Sequence, residues 1–96
     1  MRVTVRKKRW NLVFKSLKKS DCWGFCEDPE KHGKKIVVDT SVRGEKRLDV
    51  ILHELIHAAF FDFDEEPVRE TASNIARVLW KLGYRGPEDG IEKQQV

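Results

Sequence analysis

VILHELIHAAFF, residues 50–61, is the most apolar stretch of this chain, and its polar side chains are those of His53, Glu54 and His57. In a helix, residues four apart lie on one face, so His53 and His57 can bind one metal ion together. Glu54 follows His53 around the helix, where it can act on a metal-bound water instead of coordinating the metal. Burying these groups without partners would cost several kcal/mol, which a bound zinc ion would largely offset. The H-E-x-x-H pattern therefore predicts a zinc site; the alternative is a pair of ordinary core histidines.

Length and composition indicate one small soluble domain. The chain has 96 residues, of which 40% are hydrophobic and 36% are charged. No apolar run approaches the roughly 20 residues that span a bilayer, and no apolar segment follows the basic N-terminus as in a signal peptide. We therefore expect a cytoplasmic protein with no membrane partner. We expect the domain to occupy residues 1–86 and the polar tail, residues 87–96, to be mobile.

The first half of the chain predicts a small antiparallel sheet of about three strands. Polar and β-branched residues alternate in Arg2–Arg6, and apolar residues alternate again from Trp10 to Leu17, which predicts a β-hairpin. Charge, glycine and proline between Lys18 and Lys35 indicate a long loop. The apolar run in Lys34–Asp39 predicts a third strand.

Two helices are predicted in the second half, which makes the fold class α+β. The first runs from about Glu45 to Phe61 and carries the H-E-x-x-H motif. The second has Asp64 as its N-cap and stops near Gly83. Its apolar positions at helical spacing predict a buried stripe of Val68, Ala72, Ile75, Ala76, Leu79 and Leu82. We expect the sheet to pack on the zinc helix and the second helix.

A catalytic zinc site needs a third protein ligand and an open position for water. No third histidine follows at the metzincin spacing, because the residue six positions after His57 is Phe63. The candidate carboxylates are Glu65, Glu66 and Glu70 at the acidic start of the second helix, with Asp62 and Asp64 in the linker before it. At about 100° per residue, Glu65 lies on the side of the buried stripe, Glu66 on its flank and Glu70 faces away. Helical geometry favours Glu65, with Glu66 as the alternative, although these carboxylates could also simply stabilise a helix N-terminus.

With a glutamate on the helix after H-E-x-x-H, the chain resembles the gluzincin class of zinc metallopeptidases. Its size is close to that of the minigluzincins, and it is similar to small H-E-x-x-H proteins encoded by phages and prophages. The resemblance covers roughly residues 36–85, including the acidic segment of residues 64–68 and a helix ending near Leu-Gly-Tyr at residues 82–84. It implies that His53 and His57 are zinc ligands, Glu54 the general base and Glu65 the third ligand.

The resemblance has one departure, in the residue that supports the ligand glutamate. Many gluzincins carry an acidic residue four positions after that glutamate. Arg69 stands four positions after Glu65, whereas Glu70 stands four positions after Glu66. This spacing keeps Glu66 in consideration as the third ligand.

These features predict a zinc-dependent metallopeptidase with one Zn2+ per chain, Glu54 as general base and a peptide or protein as substrate. Ile36, Val37 and Val38 directly precede the zinc helix and could form an edge strand that binds an extended peptide; plain sheet core is the alternative. The chain has no room for the downstream subdomain that forms a cleft wall in larger gluzincins. The alternative function is therefore a zinc-stabilised, non-catalytic binding or regulatory module.

The N-terminal region is basic throughout. Residues 1–20 contain no acidic residue and eight basic ones, Arg2, Arg6, Lys7, Lys8, Arg9, Lys15, Lys18 and Lys19. Such a patch could bind nucleic acid or another polyanion. No nucleic-acid-binding signature accompanies it, so we favour the solvated face of a hairpin.

The two cysteines, Cys22 and Cys26, are spaced C-x3-C, and no second pair is present to complete a zinc site with them. A disulfide is disfavoured in a reducing compartment. We therefore expect buried free thiols in a turn region.

Overall fold

A computed structural model describes residues 1–86 and shows an α+β fold, which confirms the predicted class. The elements are β1 (Arg2–Val5), β2 (Lys8–Lys15), a 3-10 turn (Lys18–Ser20), β3 (Gly24–Cys26), β4 (Lys35–Asp39), α1 (Gly44–Ala59) and α2 (Glu65–Lys81). The tail that we expected to be mobile, residues 87–96, lies outside the described residues. Within residues 1–86, no helix has the length and apolar character needed to cross a membrane.

The sheet has four strands in the order β1-β2-β4-β3 and is mixed, whereas we predicted about three antiparallel strands. The predicted hairpin is present: β1 and β2 pair antiparallel, and Arg6 and Lys7 between them both have positive φ, as a two-residue type I′ turn requires. β2 pairs parallel with β4, and β3 pairs antiparallel with β4. Two parallel strands need a crossover connection. The segment between β2 and β4, which we predicted to be a loop, provides this connection and contains β3.

The expectation that Ile36, Val37 and Val38 form a substrate-binding edge strand is wrong. They belong to β4, which is paired on both sides, and all three side chains are 0% exposed. A continuous run of branched apolar residues is typical of a strand that is covered on both faces. β4 is therefore sheet core, and the edges of the sheet are β1 and β3.

Helix α1 lies between the sheet and α2. Its buried residues are Val50, Glu54 and Ala58, and those of α2 are Val68, Ala72 and Ala76. The predicted stripe on α2 was too wide, because Ile75 is 40% exposed and Leu82 is 68% exposed. Ala72 and Ala76 have small side chains, which let α2 approach α1 closely. The contact between the helices is therefore narrow, and Ile75 and Leu82 lie outside it.

The C-terminal end of α1 is held by the β1–β2 turn. Nη1 of Arg6 donates a hydrogen bond to the backbone carbonyl of Ala59 at 3.0 Å, and its guanidinium lies 4.8 Å from the ring centre of Phe60. Lys8, from the same basic region, pairs with Glu30 at 3.0 Å. Part of the N-terminal basic patch therefore has contacts within the protein.

Candidate metal centre

Three side chains from α1 and α2 converge at one point. Nε2 of His53 lies 2.8 Å from Oε1 of Glu65, and Nε2 of His57 lies 2.9 Å from Oε2 of the same carboxylate. The potential ligand atoms of the three residues all lie within 4.8 Å of one another. The histidine side chains are 17% and 15% exposed and the Glu65 side chain is 54% exposed, so solvent reaches the group mainly at the carboxylate. This group could hold a metal ion.

The donor atoms suit a zinc ion in chemistry and in spacing. Two imidazole nitrogens and one carboxylate are the protein ligands of an open, catalytic type of zinc site. Around a tetrahedral ion with bonds of about 2.0–2.1 Å, neighbouring ligand atoms lie about 3.4 Å apart. The separations of 2.8 Å and 2.9 Å are slightly shorter, so small side-chain rotations would open the group around an ion.

A short turn after α1 brings Glu65 to the histidines. The backbone N–H of Phe63 donates to the carbonyl of Phe60 at 3.0 Å, and the two rings stack with centroids 4.7 Å apart. Asp64 follows at the N-cap position, as predicted, although its side chain makes no capping hydrogen bond. The first residue of α2 therefore faces the last turns of α1.

The alternative ligand, Glu66, lies elsewhere. Its side chain is 78% exposed and accepts a hydrogen bond from Nη1 of Arg69 at 2.9 Å. Nη2 of Arg69 is also 3.9 Å from Oε1 of Glu65, so an arginine stands beside the carboxylate where many gluzincins have an acid. Desolvation acts to raise the pKa of Glu65, but His53 and His57 outweigh it and hold that pKa below its ordinary value.

Glu54 is buried where α1 meets β3. It is 7% exposed, and burial, aided by the negative charge of Glu65, raises its pKa to about 7. A carboxyl group in that range can both accept and release a proton near neutral pH. The neighbouring strand comes close because position 24 is a glycine: a Cβ there would lie 2.9 Å from the Val37 carbonyl oxygen and from Cγ1 of Val50, and 3.2 Å from Cγ of Glu54.

Neither cysteine forms a disulfide, as predicted, but both are half-buried where we expected buried thiols. Cys26 lies in β3 instead of a turn. Burial, with smaller contributions from the charges of Glu54 and Glu27, raises the pKa of the Cys26 thiol to about 12. Cys26 is therefore a neutral packing residue beside the site.

A cavity of about 270 Å³ opens beside the candidate metal-binding group of His53, His57 and Glu65. Its floor is α1, one wall is β3 with the residue before it, and the other wall is the first half of α2. Its lining includes Trp23, Gly24, Lys46, His53, Glu54 and Arg69. Trp23, Gly24 and Lys46 could not be predicted as site residues, because nothing in their spacing links a short strand in a predicted loop to α1.

Comparisons with known proteins found no match to this chain among protein-family models, curated proteins or solved structures. The site is therefore interpreted from its own geometry: two histidines on one helix, a glutamate at the start of the next, and a buried glutamate bordering the same cavity.

Proposed function

We propose that this protein is a zinc-dependent metallopeptidase of the gluzincin type. The observation that carries the proposal is that His53, His57 and Glu65 converge while Glu54, which takes no part in that group, borders the adjoining cavity. A zinc ion bound there would supply a Lewis acid and lower the pKa of a bound water to about 7.

Glu54 is the residue that would move the proton. Glu54 lies one residue round the helix from His53 and lines the cavity, although it is largely buried. From there it would accept a proton from the attacking water and pass it to the amine of the leaving fragment. Because Glu54 is only 7% exposed, little other water can reach this carboxylate.

The free edge of β3 is suited to hold an extended peptide. The carbonyl of Trp23 accepts a hydrogen bond from the backbone N–H of Asp39 at 2.8 Å, so the main-chain groups of Trp23 point towards β4. Main-chain groups alternate in direction along a strand, so those of Gly24 and Cys26 point away from the sheet. A peptide can pair with them by strand addition. β3 thereby takes the role that we had assigned to Ile36–Val38.

The test separates metal binding from catalysis. We expect the purified protein to bind one zinc ion and to cleave unstructured peptides. The Glu54→Gln variant should keep its zinc, but its cleavage rate should fall by at least about 100-fold. The His53→Ala variant should lose both zinc binding and cleavage. Glu66→Gln is the matched control and should keep both properties. Zinc binding without cleavage of any peptide in a mixed library would instead support the non-catalytic zinc-stabilised module.

A further inference from the structure

The cavity extends from the metal-binding group towards the N-terminal end of α1, where it meets a cation on an aromatic ring. Nζ of Lys46 lies 3.8 Å from the ring centre of Trp23, which is 54% exposed. Both residues line the same cavity as His53 and Glu54. Within residues 1–86, no carboxylate pairs with Lys46. An ammonium group over a ring keeps its N–H donors available for an anion.

The other charged groups in this part of the cavity leave Lys46 available. On the opposite wall, Arg69 adds a second positive charge; its pair with Glu66 is exposed on both sides and therefore weak in water. Asp49, which also lines the cavity, accepts a hydrogen bond from Ser73 Oγ at 2.9 Å and is thereby held towards α2.

The direction of a bound peptide follows from the direction of β3. The chain runs from Trp23, beside Lys46, through β3 to Cys26, whose thiol is influenced by the charge of Glu54. A peptide that pairs antiparallel with β3 therefore runs the other way, and its C-terminal side reaches Lys46. Lys46 precedes His53 by seven residues, or about 10 Å along the helix. An extended peptide covers that distance in about three residues at roughly 3.3 Å each.

We propose that the cavity selects peptides with a carboxylate about three residues to the C-terminal side of the scissile bond, bound by Lys46 with Trp23 as an apolar support. This specificity rests on the proposed peptidase function. The carboxylate can belong to an acidic side chain or to the end of the peptide chain. Arg69 contributes to the positive potential of the cavity, and Lys46 makes the contact.

The first test measures binding without turnover. Zinc-loaded Glu54→Gln protein is titrated with fluorescent peptides that are identical except for Asp, Lys or Ala at one position near the C-terminus. The Asp peptide should bind at least tenfold more tightly than the Lys peptide. Adding Lys46→Glu should reverse this order, while Arg77→Glu, an exposed charge reversal that is not part of the cavity lining, should preserve it. Equal binding of the Asp and Lys peptides would overturn the proposal.

The second test locates the carboxylate. Mass spectrometry of wild-type digests should place the cleaved bond about three residues before the Asp. A second pair of peptides carries a free or an amidated C-terminus at that distance. Comparing their cleavage shows whether the bound carboxylate is the chain terminus or a side chain. Cleavage with no dependence on either carboxylate refutes the specificity and leaves the peptidase function intact. A Lys46-dependent preference in binding, without cleavage by the wild type, supports the recognition site and refutes the peptidase.

Discussion

At the scale of single residues, the candidate site depends on Glu65. Its two carboxylate oxygens contact a different histidine each, at 2.8 Å and 2.9 Å. The carboxylate therefore holds His53 and His57 in a converging arrangement while its own side chain remains 54% exposed. Glu66, one residue along, points to Arg69 instead. Successive residues of a helix point in directions about 100° apart. This difference makes Glu65 a candidate ligand and Glu66 a surface residue.

The two glutamates should differ strongly in their effect on zinc affinity. Glu65→Gln replaces a charged ligand with a weak amide donor, and we expect the zinc affinity to fall by at least about 100-fold, more than second-sphere changes usually cause. Glu66→Gln is isosteric, lies next to it and should change the affinity less than about threefold. Competition with a chromophoric chelator at fixed pH measures both. Equal losses in the two variants would show that Glu65 is not a ligand.

His53, Glu54 and His57 could be identified from the sequence because their relation is local: one helix and a fixed spacing bring them together. Glu65 required a tertiary argument: the helical angle put it on the side of α2 that carries Ala72, and it lies 2.8 Å and 2.9 Å from the two histidines. Lys46 could not be identified in the same way. Its role depends on the position of β3, which no local pattern determines.

At the scale of elements, Asp39 joins the end of β4 to its neighbours. Its carboxylate is buried and accepts hydrogen bonds from the backbone N–H groups of Leu17 and Ser41, both at 3.3 Å, and from Ser41 Oγ at 2.9 Å. It therefore fixes the chain that follows β2 and the segment that leads into α1. Desolvation acts to raise the pKa of Asp39, but the hydrogen bonds outweigh it and hold that pKa below its ordinary value.

This lowered pKa predicts an acid-dependent loss of stability. A carboxyl group whose pKa is lower in the folded protein stabilises the fold at a pH above its ordinary range, and the contribution disappears as the pH falls through the folded value. Urea unfolding in chelator should show the wild type more stable than Asp39→Asn at neutral pH, with the difference shrinking between about pH 5 and pH 2. A difference that stays constant over this range would contradict the lowered pKa.

The elements that the sequence did not predict are those whose formation depends on distant partners. β1 and β2 meet through a turn of two residues, so their pairing was visible in the alternation. β3 has three residues and includes Gly24, which is too little for a periodic pattern. It forms because β4 offers a free edge and because the missing side chain at Gly24 allows Val50 and Glu54 to approach. The position of β4 within the sheet depended on this undetected partner.

At the scale of the whole molecule, the core is small and the site lies at its margin. Several buried positions of the helices are alanines, Ala58, Ala72 and Ala76, which contribute little apolar area. Glu54 is also buried, beside β3, and the histidines are held mainly by one exposed carboxylate. The C-terminal half of α1 and the start of α2 come together at the group that could hold a metal ion. A bound metal would cross-link α1 to the start of α2.

We therefore expect zinc to stabilise the whole domain. Binding to the folded state alone, at free zinc about 100 times the dissociation constant, adds about 2.7 kcal/mol. In a domain of this size, each kcal/mol raises Tm by about 4–8 °C, so zinc should raise Tm by roughly 10–20 °C relative to protein in chelator. Calorimetry measures this shift, and His53→Ala, which lacks a ligand, should show almost none. Unfolding exposes the half-buried thiols of Cys22 and Cys26, and zinc bound to them in the unfolded chain would reduce the shift. Replacing both with alanine should then enlarge it. An equal Tm with zinc and with chelator would mean that the ion does not join the helices.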